Sequence, residues 1–234
     1  LKKGFILFTI LFLPSIIYLV FSTGRVHFVH LPIYGERMGV TKTTVNGKER
    51  TDTIYHTIPP FSFTDQDGNT VTDKTFEGKI YVANFFFTTC RTICPRMNTS
   101  IQQVQQRLQE FPDLLFLSHT VDPANDSVQA LAAYAKMIHA DTKTWHFVTG
   151  DRKAIYDIGI NGYLLPVGED AKAEGGFLHS EQLVLVDKEK RIRGFYDGTS
   201  AKAMTDLIDD IKTLAAEYAT DKEKNKDEIT VGHP

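Results

Sequence analysis

Cysteine is scarce in this chain of 234 residues, which has two, Cys90 and Cys94. So few exclude a disulfide-dense secreted scaffold, in which several bridges stand in for a large core. Charge of one sign is also lacking: 26 Lys and Arg stand against 29 Asp and Glu, for a net −3. Such a balance leaves no basic footprint for nucleic acid, and 42% apolar residues are too many for a disordered chain. A mean hydropathy of −0.20 excludes a multi-span membrane protein. What remains is one ordinary domain with accessories, at roughly 100–200 residues per domain.

Gly4 to Ser22 reads GFILFTILFLPSIIYLVFS, with 14 of 19 residues apolar and none charged. As a helix rising ~1.5 Å per residue it would reach roughly 28 Å, close to the ~30 Å hydrocarbon thickness of a bilayer. A cleaved signal peptide is the rival, with Lys2 and Lys3 as its basic region. The run exceeds the usual ~7–15 residues, however, and no small-x-small site follows it. An uncleaved anchor over 1–24 is therefore expected, and Pro14 is tolerated there as it is in membrane helices. Lys2 and Lys3 outweigh Arg25 on the other flank. The amino terminus is thus expected in the cytoplasm of a bacterial cell, and the rest on the periplasmic side of the inner membrane. Residues 25–58 read as a membrane-proximal spacer with a small β-ribbon turning at Val45 to Gly47.

The globular part is expected over 59–219. PFSFTDQDGNTVT alternates about Asp67-Gly68 as a hairpin does. KIYVANFFF (Lys79 to Phe87) is a continuous apolar run, expected of a central strand covered on both faces. A helix follows from about Pro95 to Glu110, with Met97, Ile101, Val104 and Leu108 on one face. LLFLSHTV is a second buried strand, Ser127 to Ile138 an amphipathic helix, TWHFVTG a third strand, and Asp151 to Asp157 a short helix. EQLVLVDKEKRIRGFYDG reads as two strands joined at Asp187 to Lys190, and a last helix runs from Ser200 to about Ala219. Such alternation with a closing hairpin gives an α/β fold with a mixed central sheet flanked by helices. Residues 220–234 are expected as a charged, flexible tail, since eight of the twelve residues from Glu217 to Glu228 are charged.

FFFTTCRTICPRM sets Cys90 and Cys94 between the central strand and its helix. Strand ends of this kind are where α/β sheets present reactive groups. The helix N-terminus favours thiolate over thiol, Arg91 and Arg96 add positive charge, and Pro95 suits a first helical turn. Residues four apart on one turn face the same way, so both sulfurs can meet on one ion or in one bond. An inert disulfide closing so short a loop would stabilise little. A dithiol that exchanges electrons is a second reading, although dithiols in thioredoxin-like folds usually have two intervening residues rather than three. A soft-metal site is the third, since two thiolates select Cu(I) or Zn over harder ions. That site needs another ligand.

Histidine is the place to look for it. His27, His30, His56 and His233 fall in the spacer or the tail and read as surface residues. His119, inside an apolar strand, reads as a satisfied core or edge side chain, and His139 and His146 lack neighbours of the right type. His179 differs, because it follows Glu174-Gly175-Gly176 and precedes the strand Glu181 to Val186, where a loop could carry its imidazole over the cysteines.

The succession PFSFTDQDGNTV, TTCRTICP, VDPANDS and GGFLHSEQLVLVD resembles the Sco/SenC family of copper-binding proteins with a thioredoxin-like fold, over about Pro59 to Ala219. The resemblance implies that Cys90, Cys94 and His179 bind one copper ion, Cu(I) in a near-trigonal site and in some states Cu(II). It also implies a role in cytochrome c oxidase maturation. The protein would deliver copper to the dinuclear centre of subunit II, or of another envelope cuproprotein, or reduce the cysteines that accept it. Asp122 and Asp126 fit the family's acidic motif. Asp126 reads as the cap of the helix that begins at Ser127, and Asp122 as a group beside the ligands. Where the family carries Pro and then an acidic residue after the first Cys, this chain has Arg91 and Thr92. A cation there favours thiolate but opposes a bound metal ion.

The resulting expectation is a membrane-tethered copper chaperone rather than an enzyme. The alternative from another class is a thiol-disulfide oxidoreductase acting on envelope proteins through Cys90 or Cys94. A peroxide-reducing activity lacks any dedicated pocket in the local sequence, and an adaptor role would survive loss of both cysteines.

Overall fold

The structure is a computed structural model, and the residues it describes are 12–15, 30–45, 48–170, 176–178 and 180–231. The chain divides into two units, Leu1–His30 and Leu31–Pro234. Most of the apolar run expected as an anchor lies outside the described residues, and among the described residues no helix is long and apolar enough to cross a membrane.

In the second unit β1 (Arg37–Val45) and β2 (Lys48–Tyr55) form the antiparallel ribbon expected from the turn signal between them. β3 (Ser62–Asp65) and β4 (Thr70–Thr72) form the next hairpin. Its turn needs Gly68, whose φ of +81° lies in the left-handed region that side chains avoid. β5 (Ile80–Phe86) is buried at every position, as its unbroken apolar run requires. It leads into α1 (Ile93–Arg107), β6 (Leu114–Thr120), α2 (Val128–Met137), β7 (Trp145–Thr149) and α3 (Arg152–Asp157). A π-helical turn over Ile158–Gly162 prolongs α3. β8 (Gly168–Glu169) and β9 (Phe177–Leu178) make a small separate ribbon, β10 (Gln182–Val186) and β11 (Ile192–Asp197) the closing hairpin, and α4 (Ala201–Val231) the end.

Seven strands form one mixed sheet in the order β11-β10-β5-β6-β7-β3-β4. β5, β6 and β7 are parallel, and the strands added on either side are antiparallel to their neighbours. Alternate side chains of β5 face opposite layers: Phe86 meets Tyr134 of α2 at 5.3 Å between ring centres, and Phe85 meets Tyr163 beyond the π-turn at 5.8 Å.

Two stretches depart from expectation. α4 continues past Ala219 to Val231, because the charged run holds no Gly or Pro before Gly232 and is rich in the good helix formers Lys and Glu. The stretch read as spacer is tied into the domain from Leu31 onward. Leu31 and Ile58 are buried in the core, and Tyr34 N–H donates to the Ile192 carbonyl at 2.9 Å. Arg193, buried, donates to the carbonyls of Leu31 (2.8 Å) and Pro32 (3.1 Å) and to the carboxylates of Glu217 (2.8 Å) and Asp187 (3.1 Å). Glu217 in turn accepts the Leu31 N–H at 2.7 Å.

Candidate metal and thiol site

β5 delivers the chain into a tight turn in which the Cys90 N–H donates to the Phe87 carbonyl at 3.2 Å. α1 begins at Ile93, so Cys94 lies in its first turn, where backbone N–H groups have no partner within the helix and attract negative charge. Pro95 sits in the same turn and sacrifices no helical hydrogen bond. Both cysteines are thiols and both are buried, Cys90 with 6% and Cys94 with 1% of its surface exposed. The turn that carries Cys94 is fastened from the other side: Arg96 donates to the Thr199 carbonyl at 3.0 Å. Gly198 packs closely beside it: a Cβ there would stand 3.0 Å from Met97 Cγ and 3.1 Å from the Glu181 carbonyl oxygen, so any larger residue would oblige these neighbours to shift.

Beneath the loop lies a buried polar group that sequence reasoning assigned elsewhere. Asp126 does not cap α2. Ser127 is the cap, its hydroxyl accepting the Ala130 N–H at 3.2 Å. Asp126 is turned inward and fully buried, and its carboxyl accepts the Thr88 N–H at 3.1 Å and the hydroxyls of Thr88 and Thr120. Burial pushes its pKa up, and the Thr120 and Thr88 donors pull only part of the way back. Two adjacent cap-forming residues, Asp and Ser, precede the helix, and either satisfies the sequence rule; only the tertiary position of Thr88 and Thr120 selects Ser127.

Asn98, one turn after Cys94 on α1, donates from its side-chain amide to the Tyr134 hydroxyl at 2.6 Å. Burial raises the Tyr134 pKa, Asn98 opposes the rise, and the charge that Cys94, Cys90 and Asp126 can carry adds to it. The phenol therefore lies within electrostatic reach of both sulfurs and of the buried carboxyl.

Asp122, also buried, is turned to Asn125, whose amide donates to it at 2.8 Å. Arg91 is exposed on the loop. His179 lies outside the described residues, so the three expected ligands are described only as far as the two cysteines. The ribbon strand that ends just before it is placed: Phe177 packs on Phe87, three residues before Cys90, with ring centres 5.5 Å apart. Among the described residues no group of three His, Cys, Asp or Glu could hold a metal ion.

Three other histidines differ from expectation. His119 is in the core but unsatisfied: among the described residues neither ring nitrogen has a hydrogen-bond partner. Its ring stacks on Phe85 at 4.9 Å and meets Phe61, Phe63 and Tyr163 edge-on. Burial drives its pKa down to about 3, and the Asn84 backbone, short of hydrogen-bond geometry, pulls weakly the other way. His146 Nδ1 approaches the Asp65 carboxylate at 3.4 Å, and His56 Nε2 bonds the Gly162 carbonyl at 2.8 Å.

A family model, SCO1/SenC, matches residues 49–228. The fold superposes on that of a SCO1/SenC family lipoprotein from Bacillus anthracis with a TM-score of 0.63 and 32% identity, covering 68% of this chain and 95% of that one. It is similar to BsSco, a member of the Sco family of cytochrome c oxidase assembly proteins in which a disulfide switch has been identified (TM-score 0.61, 29% identity, 68% and 93% covered). ScoI of Bradyrhizobium japonicum with copper bound is a further neighbour (TM-score 0.54, 25% identity, 64% and 96% covered).

Proposed function

The chain belongs to the SCO1/SenC family, and from that premise we propose that it is a copper-binding protein of cytochrome c oxidase assembly whose ligands are Cys90, Cys94 and His179. One observation carries the assignment: the only two cysteines share one loop at the carboxyl end of the central strand, one of them in the first turn of α1. The donor set fits the ion. Two sulfurs suit Cu(I), and their shielding from water suits a soft cation that is cargo to be handed on. Phe177 on Phe87 supports His179 as third ligand, since it holds the preceding ribbon strand against the root of the cysteine loop.

In this proposal Cys90 and Cys94 capture the ion as thiolates and His179 as a neutral imidazole, and copper passes to an oxidase subunit II or another envelope cuproprotein by ligand exchange. An anchor over 1–24 keeps the domain beside a membrane-bound acceptor and raises its effective concentration. The domain then lies on the periplasmic side of the inner membrane.

Cu(I) titrated into the reduced full-length chain should bind one ion per chain, and Cys90→Ala, Cys94→Ala and His179→Ala should each abolish that binding. Unchanged binding in all three variants overturns the assignment. A second reading, reduction of a partner disulfide, is favoured by Arg91, whose cation opposes a bound metal ion while favouring thiolate. In that case His179→Ala leaves turnover intact and a single-cysteine variant traps a partner as a mixed disulfide.

A further inference from the structure

The two cysteines are held by different devices. Cys94 belongs to α1 and moves only with that helix, whereas Cys90 sits in the turn between β5 and α1. The start of that turn is pinned from below. Thr88 gives both its N–H and its hydroxyl to Asp126, and Thr120, at the end of the neighbouring strand β6, gives its hydroxyl to the same carboxyl. Asp126 is held in turn by its own loop, its N–H donating to the Asp122 carbonyl at 2.9 Å. A carboxyl buried among neutral donors is an expensive way to close a loop, since desolvation opposes its charge and, among the described residues, the groups that act on it are Thr120, Thr88 and Asp122 rather than a Lys or Arg.

We propose that Asp126 is a positioning residue for the thiol pair: through Thr88 it sets where Cys90 stands relative to Cys94, and so sets both the dithiol–disulfide equilibrium and the grip on copper. This rests on Cys90 and Cys94 being the functional pair. Thr88 and Thr120 separate positioning from mere support. Both hydroxyls end on Asp126, yet Thr88 alone belongs to the cysteine turn. Thr88→Val keeps the side-chain shape and the backbone bond and removes one tie. Thr120→Val removes a tie on the β6 side. Thr88→Ser restores the hydroxyl.

The test uses the reduced full-length chain in detergent and reads two quantities: the dithiol–disulfide equilibrium in glutathione buffers, and Cu(I) affinity by competition with a chromophoric chelator. Thr88→Val and Asp126→Asn should each shift the dithiol equilibrium about tenfold, equivalent to about 30 mV for a two-electron couple, and weaken Cu(I) binding at least tenfold. Thr120→Val should leave both within about twofold, and Thr88→Ser should restore both. Asp126→Asn is read only alongside Thr88→Val, which carries the decision should the former unfold. The proposal is overturned if Thr88→Val leaves both quantities unchanged, or if Thr120→Val moves them equally. Absence of Cu(I) binding in the wild-type chain would instead overturn the copper assignment, and the dithiol equilibrium would still decide the role of Asp126.

Discussion

Buried carboxyls are satisfied in two opposite ways in this molecule. Around Arg193 the carboxylates of Asp187 and Glu217 meet guanidinium groups, with Arg191 adding a second at 2.8 Å from Asp187. Under the cysteine turn, the partners of the Asp126 carboxyl among the described residues are two hydroxyls and one backbone amide, and burial pushes its pKa up. Opposite charges paired out of water form a weld: neither partner can leave without stranding the other. Neutral donors around a carboxyl form a pin, weaker and tolerant of small displacement. The weld fastens backbone that does no chemistry, and the pin lies beneath the turn that presents Cys90. The ion pairs thus fasten the start of the folded unit, and the neutral donors the start of the cysteine turn.

The largest effect should come from breaking the weld. Arg193→Met leaves Glu217 and Asp187 buried without their shared cation and should cost about 3–5 kcal/mol in denaturant unfolding, while copper stoichiometry of the folded chain stays at its wild-type value. A smaller loss would show that Arg191 replaces it.

Removing partners altogether extends the contrast to His119, whose ring nitrogens bond to nothing among the described residues. At neutral pH, His119→Leu should stabilise by about 1–3 kcal/mol, the cost of a buried unsatisfied polar group. The pH dependence is sharper. The folded-state pKa of about 3 lies below the ordinary 6.5, so the unfolded chain binds a proton that the folded chain refuses. The contribution of His119 is therefore present above about pH 6.5 and is lost as pH falls toward about 3. Thermal unfolding between those limits should fall less steeply in the Leu variant; parallel curves would mean that the imidazole finds a partner.

The smallest effect compares neighbours. Ser127→Ala removes the true cap of α2 and should cost about 1 kcal/mol with Cu(I) affinity unmoved. An affinity change there would merge the cap and the pin into one device.

Much of the fold was legible because its signals are local. The apolar run from Ile80 to Phe86, the hairpin at Gly68 and the helix spacing of Met97, Ile101 and Val104 each name their element without reference to the rest. The cysteine pair was legible for the same reason, standing at a strand end before a helix. What escaped depends on contacts distant in sequence. Asp126 is set by a bond to Thr88, 38 residues away, and Leu31 by bonds to residues 162 and 186 positions distant. Nothing in the polar composition of residues 25–58 discloses that Arg193 takes hold of Leu31 and Pro32. His119 was rightly placed in a strand, but its lack of partners is a property of the aromatic rings that surround it.

The hold of Arg193 on Leu31 and Pro32 also moves the edge of the foldable unit. A fragment cut to begin at residue 59, where composition alone would start the domain, would leave Arg193 and Glu217 buried without the backbone groups of Leu31 and Pro32 that they hold. A piece of this chain meant to keep the fold must therefore begin no later than Leu31.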